Sequence, residues 1–223
     1  MGAAIGQVLA LGVGVALSPV PIIAVVLMLV TPKARTNGPM FVIGWLVGLV
    51  IVGAIVLSLA GPSDASDEGQ PADWVGVVEL VLGALLLLVA IKEFRSRPHE
   101  GEEAQMPKWM GAIDAFTPVK AFGAGAVLSG LNPKNLLLAV AAGAAIAQTG
   151  IAGSEQAVAY GVFALLGTVG VAIPVVIYFA MGDRAAALLE NLKNWLARNN
   201  TVIMSVLMLV IGVKLIGDGI SAL

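Results

Sequence analysis

AFGAGAVLSGLNPKNLLLAVAAGAAIA, residues 121–147, is membrane-grade apolar sequence apart from Ser129 and the cluster Asn132-Pro133-Lys134-Asn135. A lysine at mid-bilayer costs a few kcal/mol on insertion scales, so it stays there for a partner or a task. Snorkelling is a poor escape. The side chain reaches roughly 6 Å, whereas half of the hydrocarbon core is about 15 Å. Lys134 therefore marks an intramembrane functional site, and its segment decides how the rest of the chain is read.

The 223 residues are 59% hydrophobic and 12% charged, with a mean hydropathy of +0.97. Soluble domains carry about 25% charged residues, so the composition points to an all-α, polytopic membrane protein. About six spans use up most of the chain and leave no room for a soluble catalytic domain. The net charge of -2 argues against a nucleic-acid partner. With no cysteine, disulfide and thiol-relay chemistry are excluded. His99, the lone histidine, lies in a charged loop, so neither a His-based metal site nor Ser–His catalysis is expected, and no cofactor is called for. The N-terminal apolar stretch has no preceding Lys or Arg, and it reads as a retained span rather than a signal peptide.

Six apolar segments stand out: 3–30, 39–60, 74–94, 119–148, 157–181 and 200–222. The first and fourth approach thirty residues and carry proline near their middles. Residues 61–73 contain acids and turn formers but no Lys or Arg, and 149–156 also lack basic residues. Lys33, Arg35, Lys92, Arg95, Arg97, Lys108, Lys120, Arg184, Lys193 and Arg198 fall in or beside the alternate connections. That is ten of the twelve basic residues on one side. The positive-inside rule then leaves both termini outside the cytoplasm. Two pieces on the basic side are amphipathic: Met106, Trp109, Met110 and Ile113, then Leu188, Leu192, Trp195 and Leu196. Each is expected to lie in the interface and anchor the following span.

Leu17-Ser18-Pro19-Val20-Pro21-Ile22 in span one and Leu131-Asn132-Pro133-Lys134-Asn135-Leu136 in span four share one pattern. A small polar residue precedes proline, and aliphatics resume. Each opens a three-span unit, residues 1–94 and 119–223, joined by a cytoplasmic loop at 95–118. An odd number of spans per unit makes the repeat inverted, and paired broken helices point to a transporter's midplane site. Proline removes an amide donor and clashes with the preceding turn, and the freed backbone is tolerated only against protein or a watery cavity. Half-helix N-termini add partial positive charge. The expected substrate site is thus a polar, cation-bearing pocket built by Lys134, Asn132, Asn135, Ser18, Pro19, Pro21 and Pro133. Pro174 has no counterpart in span two and reads as an ordinary kink.

Glu79 lies just inside the outer end of span three. Lys214 and Asp218, four apart in span six, can pair on one helix face. They are read as a local ion pair, with an ion relay through Glu79, Lys214 and Asp218 as the functional alternative. Gly44 and Gly48 have small-xxx-small spacing, which close packing explains, a homodimer being the weaker reading.

At Ser18-Pro19-Val20-Pro21 and Asn132-Pro133-Lys134-Asn135 the chain resembles the lysine-exporter superfamily. In particular it resembles the GAP family, the glycopeptidolipid- and sulfolipid-addressing proteins of bacterial envelopes. The likeness covers nearly the whole chain in span number, central charged loop and proline motifs. It implies an inner-membrane protein that exports or translocates an envelope lipid or glycolipid, and it supplies no list of binding residues. The superfamily's thiol-electron carriers are excluded by the missing cysteines, and scarce intramembrane carboxylates and histidine weaken its metal-ion branch.

The leading expectation is a transporter, not an enzyme, that takes an anionic group at Lys134. The alternative is a proton-coupled exporter of small amino acids or cations, with Glu79 or Asp218 titrating. A Ser129–Lys134 enzyme dyad and a structural scaffold are the minor readings.

Overall fold

The computed structural model describes residues 1–60, 73–96 and 108–221. Most of the 61–73 connection and the loop residues Arg97, His99 and Met106 lie outside the described residues, as does the Trp109 side chain. What is described is helical throughout. Span one is a broken pair, α1 (Gly2–Ala16) and α2 (Pro19–Leu29), bent by 51°. Then come α3 (Ala34–Ala60) and α4 (Asp73–Arg95). After a 3-10 turn at Lys108–Ala115 come a second broken pair, α5 (Pro118–Gly130) and α6 (Pro133–Ala147), then α7 (Gly153–Met181) and α8 (Ala185–Ser221).

Helices α3, α7 and α8 are each long and apolar enough to cross a membrane, and the α1–α2 pair makes a fourth candidate. Both breaks follow from the residue before proline. Steric conflict with the proline ring drives that residue out of the α region into extended backbone. Ser18 has ψ 109° and Asn132 ψ 121°. Pro174, by contrast, is absorbed within α7.

Between helices in lipid there is little hydrophobic drive, so close backbone packing must hold them. Glycine supplies it in three pairs. On α3, a Cβ at Gly44 would lie 2.0 Å from the Phe122 carbonyl oxygen of α5, and one at Gly125 of α5 would lie 2.2 Å from that of Phe41. On α7, one at Gly170 would meet the Ala16 oxygen of α1 at 1.7 Å. Gly83 of α4 and Gly212 of α8 face each other's carbonyls in the same way. The Gly44–Gly48 stripe is therefore spent on α5 within the chain. Trp45, fully buried on α3, satisfies its indole by donating to the Gly167 carbonyl of α7 at 3.2 Å.

Two expectations about the basic side change. Met110 and Ile113 form a 3-10 turn and are buried in the protein core, next to α2, instead of lying in the interface. The second amphipathic piece is not separate from span six: α8 runs 37 residues without a break. No proline or glycine falls between Ala185 and Ile211 to stop it. Its inward face is set by Leu189 and Leu196, while Leu188 and Trp195 are exposed.

Candidate functional site

The two breaks are built alike and do different work. At α6, the Asn132 side chain accepts from the Lys134 backbone N–H at 3.1 Å and caps the helix. At α2, Ser18 occupies the same position but makes no side-chain cap. Its hydroxyl is used across the structure. Lys134 Nζ donates to Ser18 Oγ at 2.8 Å, and Ser18 Oγ donates to Asn135 Oδ1 at 2.9 Å. Asn135 Nδ2 donates in turn to the Leu128 carbonyl of α5 at 2.9 Å. One chain of hydrogen bonds thus links break to break.

The prolines thin out the backbone donors. Among the first three residues of α2, Pro19 and Pro21 have no N–H, and at the head of α6 Pro133 has none while Lys134 is capped. Partial positive charge from the helix ends is correspondingly small. The charge at this site is the Lys134 ammonium.

Lys134 is 6% exposed, and Ser18 and Asn135 are buried with it. Of its three N–H donors, one meets Ser18 and one meets the Met204 thioether of α8 at 3.4 Å, a weak acceptor. It forms no ion pair with a carboxylate among the described residues. Among the described residues, the field of Glu93 on α4 reaches it. The third donor has no protein acceptor among the described residues, and an anion is what its charge calls for.

Glu79, Lys214 and Asp218 form a separate cluster. Lys214 and Asp218 of α8 are ion-paired, as their spacing predicts. Glu79 is 1% exposed, lies beside Gln148 and within the electrostatic reach of both α8 charges. Among the described residues neither Glu79 Oε2 nor Gln148 Nε2 has a hydrogen-bond partner. Gln148 follows Lys134 by fourteen positions on α6, about 20 Å along the helix, so the two clusters do not touch.

The polar neighbours of Lys134 are hydrogen-bonded to one another. A cavity of about 860 Å³ lies among α3, α5 and α6 and is lined by apolar residues such as Ile55, Val127, Gly130, Leu136 and Val140. Lys134 projects from the other side of α6, two positions and about 200° of helical rotation from Leu136.

Three participants were not foreseen from the sequence: Met204, Leu128 and Gln148. Met204 sits in an aliphatic run with nothing to distinguish it, and Leu128 contributes only a backbone carbonyl. Gln148, a polar residue at the very end of α6, carried a signal that could have been used. Among the described residues no group of three or more His, Asp or Glu side chains is placed to hold a metal ion.

Residues 8–221 match the model of a protein family described as Sap, sulfolipid-1-addressing protein. No curated protein and no solved structure matches the chain.

Proposed function

The chain belongs to the sulfolipid-1-addressing protein family, and on that premise we propose that it translocates an anionic envelope lipid or glycolipid across the cytoplasmic membrane. The observation that carries this reading is Lys134: a buried ammonium at the junction of two broken helices, with a hydroxyl and a thioether for company and no paired acid among the described residues. A fixed carboxylate would serve a structural ion pair. A cation left with weak acceptors serves a negative group that arrives and departs, here a sulfate, phosphate or carboxylate on an amphiphile.

We further read the chain as six crossings in two inverted three-helix units, within the lysine-exporter superfamily, with both termini outside the cytoplasm. Helix packing supports the repeat. Exchanging α1, α2, α3 and α4 for α5, α6, α7 and α8 converts the α3–α5 crossing into α7–α1 and the α2–α8 contact into α6–α4, and it returns α4–α8 to itself. The basic residues at alternate connections support the orientation. A homodimer is kept as part of the proposal, with its interface on surfaces other than the Gly44–Gly48 stripe.

The second reading, a proton-coupled exporter of small amino acids or cations, is favoured by Glu79, whose buried carboxyl has an oxygen with no partner among the described residues. The deciding experiment is reconstitution of the full chain in vesicles carrying a long-chain sulfate ester in one leaflet. Loss of its transbilayer movement in Lys134→Gln supports lipid translocation. Unchanged movement in that variant, with amino-acid flux that follows an imposed pH gradient, sinks it.

A further inference from the structure

The polar break and the large cavity lie on opposite sides of α6, and only the break is absorbed by the reading above. The cavity holds about 860 Å³ between α3, α5 and α6, with Val78 of α4 also on its wall. Every residue lining it is glycine, alanine, valine, leucine or isoleucine. On α3 it runs from Gly48 to Leu59, eleven residues or about 16 Å, which is roughly half of a ~30 Å hydrocarbon core. It opens on the surface: Leu59 is 82% exposed and Leu131 70%. Its inner end is Gly130 and Leu131, directly before the break at Asn132.

We propose that this groove is the acyl-chain site of the transported amphiphile in transit, holding one hydrocarbon chain along half of the bilayer while its polar end is at the Leu131–Asn132 break. The inference rests on the translocation reading of Lys134 and adds where the apolar part of the substrate goes. Three features select this occupant. The wall is uniformly aliphatic, so it favours a chain over a sugar or peptide. The length is that of one leaflet, so one extended chain fills it without crossing the midplane. Asn132 supplies a polar end, because its carbonyl oxygen is taken by the α6 cap while its amide N–H donors have no partner among the described residues. Asn132 Oδ1 is 3.1 Å from the Lys134 backbone nitrogen, and the lysine side chain leaves α6 on the face turned away from the groove. Moving the headgroup from Asn132 to Lys134 then passes it around the N-terminus of α6 while the chain stays in the groove.

The test uses the full chain in phosphatidylcholine nanodiscs with a long-chain alkyl sulfate bearing a diazirine on its chain. Peptides of α3, α5 and α6 that line the groove are expected to be labelled at least about ten-fold more than the exposed α8 residues Leu209, Val210 and Val213, a preference of about 1.4 kcal/mol. Val140→Phe fills the groove and is expected to remove that excess while α8 labelling stays constant. Ile55→Trp, at the exposed rim, does the same should Val140→Phe fail to fold. Equal labelling of groove and α8, no effect of either variant, or equal groove labelling by a diazirine phosphatidylcholine of the same chain overturns the proposal. The two readings separate cleanly. If Lys134→Gln halts translocation and the groove is unlabelled, the function stands and the groove assignment falls. If the groove is labelled and Lys134→Gln translocates normally, the reverse holds.

Discussion

Ser18 and Lys134 lie 116 positions apart in the chain, yet the lysine Nζ sits 2.8 Å from the serine Oγ. Each comes from a proline-started half-helix, so the contact joins the two places where the backbone is interrupted. Stability and transport meet at this bond, and substitutions there should separate them.

Lys134→Met is expected to fold at least as well as the parent and to lose translocation. Replacing buried ion pairs by apolar side chains of similar volume is neutral or stabilising, by about 1–4 kcal/mol, and Lys134, with no carboxylate partner among the described residues, has less pairing to lose. Thermal unfolding in detergent checks the first half, and the vesicle assay checks the second. A strongly destabilised Lys134→Met would mean that the ammonium is a structural tie.

Ser18→Ala leaves Asn135 Oδ1 without its donor and Lys134 with only a thioether. The expected cost is about 1–3 kcal/mol, that of an unsatisfied buried polar group. Because Ser18 and Asn135 share one network, the Ser18→Ala, Asn135→Ala cycle should show a coupling of about 0.5–3 kcal/mol. Additive losses in equilibrium unfolding would argue that the bond is incidental.

Much of this arrangement is legible in the residues, and the reasons are local. Proline acts on its own turn and on the residue before it, so the interruptions at Ser18 and Asn132 could be placed without knowing the fold. Lys134 declares itself by cost alone. The rest depends on tertiary placement. Ser18 and Asn132 have equivalent positions, and only the coordinates reveal that one caps its helix while the other reaches across to Lys134. Met204 is one flexible apolar side chain among many. The aliphatic groove has no mark in the sequence, because residues facing a cavity and residues facing lipid are of the same kind. The continuity of α8 was hidden by Asn199 and Asn200, which disfavour helix interiors in water. Here Asn199 donates to the Trp195 carbonyl at 2.8 Å without ending the helix.

Gly44→Ala and Gly170→Ala should each destabilise by about 1–3 kcal/mol or more, since the added methyl group runs into a backbone carbonyl that cannot move aside. Gly161→Ala, on the same helix as Gly170 but with open space around it, should be neutral or stabilising by up to about 1 kcal/mol. Melting temperatures of the three variants, measured side by side, give the comparison. Similar values for Gly161→Ala and Gly170→Ala would contradict the close helix crossings.

Glu79→Gln keeps the shape of a buried side chain and removes its charge. If the lipid reading holds, the variant retains sulfate-ester translocation to within about three-fold, as expected of a substitution remote from the substrate's path. Translocation that loses its response to a pH gradient in this variant alone would move the weight to the proton-coupled reading.

Helix α8 carries a mechanical implication. Leu189, buried at its basic end, and Met204, against the Lys134 ammonium, sit on one rod with neither proline nor glycine between them. Such a rod has no hinge at which to absorb a push. A displacement of its Leu189 end, whether by a bound protein or by a shift in headgroup packing, is expected to carry through to the thioether at the far cluster. The occupancy of the lysine is in this way exposed to events about 22 Å away.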